Sequence, residues 1–236
     1  MQEQLSQLVN RLNQTFADRL VSAILYGSAA TGDWNEHSSD LNVLCVLTRL
    51  SPQELAQSEP IFRWWRDNGN PPPLLLTEEE VRTGTDCFPM EFEDMKQHRR
   101  VLSGIDIIES IEIDRRFYRA QVEHELRAKQ IRLRQRAAEL LSNAPRLTML
   151  LTDSISTFCV LGRHALILSG HEPRWKKVEI LSALEDVMKM RLPGASAILA
   201  ARNTRKASGD ADAVKLLEQY LMEMDALVRF VDAVDR

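Results

Sequence analysis

The residues of this sequence that could do chemistry are few and close together. In LYGSAATGDWNEHSSDLNVLCVL, Leu25 to Leu47, a Gly27-Ser28 pair follows one apolar run, and Asp40 and Asn42 stand two apart at the mouth of the next. Much later, PMEFEDM offers Glu91 between Met90 and Phe92. Phosphoryl transfer needs a backbone turn that presents N–H groups to phosphate oxygens, and carboxylates holding the divalent cations that bridge those phosphates to an attacking hydroxyl. Glycine lets the backbone approach closely, and the first amides of a helix have no partner inside it. On a strand, positions 40 and 42 point to one face and could share a cation, with Glu91 joining them from a neighbouring strand. Asn42 departs from this scheme: an amide is neutral, offers one acceptor oxygen and bridges two cations poorly. Asp40 with Asn42 and a triphosphate could still hold the ion that a nucleotide carries, while an acceptor-activating cation would rest on Asp40 and Glu91. Asp33, Glu36 and His37 lie in the same loop and could lend a ligand, although a solvated loop explains them equally well.

The elements that would hold these residues can be read from periodicity. Leu5, Leu8, Val9 and Leu12 recur at helical spacing before LVSAILY, a buried strand, and LNVLCVLT is a second strand after a short helix and a polar loop. Ser51 and Pro52 cap a helix that stops at the NGN of 68–70. PPLLLT and FPMEFEDM are predicted to be two more strands around a short acidic helix near Thr77. On that assignment Glu93 shares Glu91's face and Asp94 the opposite one. From about residue 115 only long 3.6-period segments remain, near 115–142, 145–169, 173–190, 194–208 and 211–234. In the first of these, Val122, Leu126, Leu133, Ala137 and Leu140 form a stripe able to bury. The chain therefore divides into residues 1–114 and 115–236.

The Gly27-Ser28 turn, SDLN entering a strand, and the later MEFEDM resemble the nucleotidyltransferase superfamily typified by DNA polymerase beta and the small aminoglycoside nucleotidyltransferases. The resemblance spans roughly residues 20 to 115. It implies an α/β (α+β) domain with a mixed sheet followed by an all-α helical bundle that binds substrate or partner, with the ligand site in the cleft between them. It also implies transfer of a nucleoside monophosphate from an NTP, ATP foremost, to a hydroxyl acceptor on a small molecule or protein. Gly27 and Ser28 would form the phosphate-binding turn, Asp40 and Glu91 would be catalytic, and Asp40, Asn42 and Glu91 would hold Mg2+ or Mn2+. HRRVLSGIDII is similar to the basic helix and return strand that follow the third acid, leaving Arg99 and Arg100 available to a triphosphate. Asn42 keeps a second function open, that of a weakened or inactive member that binds a nucleotide or ligand as a regulatory module.

Composition excludes other classes. Hydrophobic residues make up 44% and charged residues 27% of 236, an ordinary globular balance. No apolar run approaches the roughly 18 residues of a membrane span, and the polar N-terminus is no signal peptide, so a cytoplasmic protein that needs no membrane is expected. Net charge −4 argues against nucleic acid as a partner. The basic helix RAKQIRLRQR splits its charges, Lys129, Arg132 and Arg136 on one side, Arg127 and Arg134 on another, as solvated flanks do. Its Arg119 and His124 match some ribonuclease helices only by a spacing that chance easily meets. Glu123 and Asp153 are candidate bases. Cys45, Cys87 and Cys159 lack disulfide or zinc spacing and are expected to be buried thiols. Homodimerisation stays open.

Overall fold

Period-2 alternation in the two apolar runs sorts their side chains onto opposite faces of one sheet. The computed structural model describes residues 1–31, 40–204 and 210–234 and divides into two units, Met1–Arg115 and Arg116–Arg236. The first unit runs α1 (Gln2–Phe16), a 3-10 turn (Ala17–Arg19), β1 (Leu20–Tyr26), α2 (Ser28–Thr31), β2 (Asn42–Leu47), α3 (Pro52–Asp67), β3 (Leu74–Thr77), α4 (Glu78–Thr83), α5 (Pro89–Gln97) and β4 (Arg99–Gly104). Sheet order is β3-β2-β1-β4, with β1 antiparallel to both β2 and β4, and β2 parallel to β3. The mixed sheet expected of the fold is present.

On one face, Ala23, Leu25, Val43, Cys45 and Leu47 pack with Leu5, Leu8, Leu12 and Phe16 of α1 and with Ile61 and Trp65 of α3. On the other, Ile24, Leu44 and Val46 pack with Val81, with Phe92 and Met95 of α5, and with Ile107, Ile108 and Ile111. Each fully buried side chain of this size contributes about 1.5–3 kcal/mol of transfer free energy, so α1, marginal alone, is fixed by its stripe. The entrance of α3 is a capping box: Ser51 accepts from the Gln53 amide at 3.2 Å, and Glu54 accepts from the Ser51 amide at 3.1 Å. Glu54 is fully buried and also receives Arg19 at 2.7 Å and Arg49 at 3.0 Å, tying α3 to the 3-10 turn and to the loop after β2.

Two expectations fail in this unit. FPMEFEDM is helix α5 rather than a strand, because Pro89 supplies the first-turn residue and burial passes from Phe92 to Met95, three apart. The alternation Met90–Phe92 was too short to decide between the two periods. HRR is not a helix either; Arg99 and Arg100 open β4, opposite Tyr26 and Leu25.

The second unit is the expected helical bundle: α6 (Tyr118–Ala138), α7 (Ala144–Leu168), α8 (Lys177–Met188), α9 (Pro193–Thr204) and α10 (Asp210–Ala233). The α7 helix packs against the other four. The α6 stripe is Tyr118, Val122, Leu126, Leu133 and Ala137, and Leu140 falls outside the helix. Tyr118 meets His164 of α7 through its hydroxyl, 2.6 Å from Nδ1, both side chains being buried. At the entrance of α9, buried Glu223 of α10 accepts the amides of Gly194 at 2.6 Å and Ala195 at 2.7 Å, doing the work of a cap from a neighbouring helix. Among the described residues no helix is long and apolar enough to cross a membrane.

Candidate active site

The site starts where β1 ends. Tyr26 is the last residue of β1 and pairs with Asn42, the first of β2. Gly27 follows in the left-handed region, φ 75°, and a Cβ there would stand 3.0 Å from Asn42 Nδ2. Glycine is thus required twice, for the backbone angle and for the space that the amide occupies. The amides of Ala30 and Thr31 donate to the Gly27 carbonyl at 2.9 and 3.2 Å, closing the first turn of α2. Those of Ser28 and Ala29 have no hydrogen-bond partner among the described residues.

Asp40 is exposed and lies in coil ahead of β2, so the strand geometry assumed for positions 40 and 42 begins only at Asn42. Leu41 is nonetheless buried on the face of Val43 and Cys45. Its amide is held by Asn70 Oδ1 at 3.2 Å, a buried side chain that fixes the approach to β2. Sequence reasoning passed over Asn70; its only signal was an Asn beside glycine at the break after α3.

Glu91 is held by another element than the one expected. It stands exposed in the first turn of α5, the helix laid over the sheet face that carries Ile24 and Leu44, with Tyr26 packed against the same cluster. Burial raises the Tyr26 phenol above the ordinary tyrosine value, and the negative charge of Glu91 raises it further. The carboxylate therefore acts electrostatically on the end of β1, from a helix rather than from an adjacent strand. The sequence did not single out Tyr26, although its place just before Gly27 could have marked it.

The remaining polar candidates are spoken for. Glu93 is buried and paired with Arg115 at 2.7 Å, which makes it part of the scaffold. Arg99, expected to meet phosphate, is clamped by Asp106 at 2.7 and 2.9 Å and by the Lys96 carbonyl at 2.8 Å. Arg100 is exposed one position along, on the other face of β4. Asp33, Glu36 and His37 lie outside the described residues. Among the described residues no three His, Cys, Asp or Glu side chains gather closely enough to hold a metal ion. Asp40, Asn42 and Glu91 comprise two carboxylates and one neutral amide, a carboxylate short of the set that bridges two cations. In the helical unit, Glu123 is held between Arg127 at 2.8 Å and Arg119 at 2.9 Å. The Arg127 hydrogen bond is the chief cause of its lowered pKa, the opposite of what a base needs. Cys45 and Cys159 are buried as expected, but Cys87 is exposed.

Sheet order, the strand–turn–strand unit around Gly27 and the helices that follow define a nucleotidyltransferase fold with a C-terminal helical domain. Among solved structures, the chain is similar to spectinomycin adenyltransferase AAD(9) from Enterococcus faecialis, determined with ATP and spectinomycin. The TM-score is 0.65 at 15% identity, over 98% of this chain and 99% of that one. No protein-family model matches the sequence, and no curated protein matches it.

Proposed function

We propose that this chain transfers a nucleoside monophosphate from an NTP, ATP foremost, to a hydroxyl of a small molecule. The observation that carries the proposal is the seating of Asn42 against Gly27 at the end of β1, within a fold shared along its whole length with an ATP-bound adenyltransferase. Gly27 and Ser28 would cradle phosphate oxygens through their turn, while Asp40, Asn42 and Glu91 would hold Mg2+ or Mn2+ together with the triphosphate. When bound, the cation neutralises phosphate charge and acidifies the acceptor hydroxyl. Glu91 takes the hydroxyl proton as the acceptor oxygen bonds to the α-phosphorus, and the bond to pyrophosphate breaks. One proton moves and one P–O bond replaces another.

Asn42 itself favours a second function. With a carboxylate missing from the bridge, nucleotide binding survives more readily than turnover, and a misplaced cation costs on the order of a hundredfold in rate. The protein would then be a nucleotide-binding module.

Pyrophosphate release from ATP, followed with Mg2+ or Mn2+ across a panel of hydroxylated cyclitols that includes spectinomycin, separates the two. Release that depends on one acceptor and is lost in Glu91→Gln supports transfer. ATP binding without release on any acceptor supports the module.

A further inference from the structure

The carboxylate expected to lead the donor set has no element of its own. Asp40 is exposed and lies in coil, two residues ahead of β2. The ladder between β1 and β2 ends at Tyr26 opposite Asn42, and β3 joins β2 only from Leu44 opposite Leu74. Upstream of β3 stand Pro71, Pro72 and Pro73, which carry no amide with which to extend that ladder.

A side chain takes over where the ladder stops. Asn70, 7% exposed, accepts the Leu41 amide on Oδ1 at 3.2 Å. Its Nδ2 donates to the Asn68 carbonyl at 3.4 Å, which settles which end of the side chain faces Leu41, and its backbone amide donates to the Trp65 carbonyl at 3.3 Å. The last turn of α3 and Gly69, at φ 83°, thus aim Asn70 at a residue 29 positions earlier in the chain. The Leu41 N–H belongs to the same planar peptide unit as the Asp40 carbonyl and Cα. Leu41 itself is 2% exposed, in the core that the sheet shares with α1 and α3. With that plane held at its amide and by the buried side chain beyond it, the Asp40 Cα has a fixed place, and only ψ and the side-chain torsions remain to move the carboxylate. Placement at this level matters, since about 1 Å of displacement can cost on the order of a hundredfold in rate.

We propose that Asn70 is a positioning residue for Asp40 in cation-dependent nucleotide binding, acting through the Leu41 amide rather than through contact with the nucleotide or its cation. The proposal rests on the reading above, in which Asp40 holds the cation that a triphosphate brings.

The test is calorimetric titration of the full chain with ATP, in Mg2+ and in EDTA, which gives the factor by which Mg2+ tightens binding. Asn70→Leu keeps the bulk of the side chain and removes the acceptor; it should lower that factor about fivefold or more while leaving the EDTA affinity within about twofold of wild type. Asn70→Asp retains an acceptor oxygen and should keep the wild-type factor, provided Asp40 is present. In an Asp40→Asn background Asn70→Leu should have no further effect, because both changes then remove one interaction. Asn70→Ala takes the place of Asn70→Leu if the latter does not fold. A factor unchanged in Asn70→Leu, losses that multiply in the double variant, or equal weakening with and without Mg2+ would overturn the proposal while Asp40→Asn alone still lowers the factor. If Mg2+ does not tighten ATP binding in the wild type, or Asp40→Asn leaves the factor unchanged, the cation site itself falls, and the proposal with it.

Discussion

An amide at position 42 keeps the shape of a carboxylate and discards its charge, and its Nδ2 would lie 3.0 Å from a Cβ on Gly27, so that shape is under constraint. Asn42→Asp is therefore the least disruptive way to alter the site. It should tighten Mg2+-dependent ATP binding by about tenfold, ~1.4 kcal/mol, when titrated with and without the ion. An unchanged metal dependence would remove residue 42 from the metal site. Gly27→Ala probes the same contact from the other side. Its φ of 75° costs a side-chain-bearing residue about 1–2 kcal/mol, and the added methyl group pushes on the Asn42 amide. The variant should show a lower denaturant midpoint and weaker ATP binding, and wild-type affinity would exclude the turn from the nucleotide site.

The helix α5 shows why some of this was legible in the sequence and some was not. Gly27, Ser28 and Asn42 could be placed because each borders a long apolar run whose alternation fixes its face. Glu91 sits in a segment where Met90 and Phe92 mimic a strand for one period, so the acid was given the wrong element. The distant helices were legible because five long stretches keep one period, while Glu223 at the foot of α9 was not, since nothing local announces a cap contributed from another helix. Glu223→Ala leaves the Gly194 and Ala195 amides without a partner and should cost about 2 kcal/mol or more in urea denaturation. Two buried glutamates should also tilt the pH dependence in opposite senses. Ser51, and after it Arg49, lower Glu54 from 4.5 to about 2, so its contribution is complete above 4.5 and is lost as pH falls toward 2. Burial raises Glu223 above 4.5 despite its two amide donors, so its contribution is lost as pH rises from 4.5 through the folded-state value. Stability against pH for Glu54→Gln should flatten on the acid side, and for Glu223→Gln above it; identical curves for both would contradict these environments.

Taken as a whole, the chain holds two units with separate cores, a mixed sheet covered on both faces and a bundle centred on α7. A fragment of residues 116–236 should consequently melt cooperatively by far-UV circular dichroism, and a non-cooperative loss of helix would mean that the bundle depends on the first unit. The unequal burial of the three thiols has a practical corollary. Cys45, pushed up to about 12 by burial, and Cys159 are shielded, whereas Cys87 is exposed, just ahead of the helix that bears Glu91. Asp86 holds the Cys87 thiol protonated, so alkylation runs slowly at neutral pH yet falls on one position. The unmutated protein thus carries its own attachment point for a fluorophore, two residues ahead of that helix.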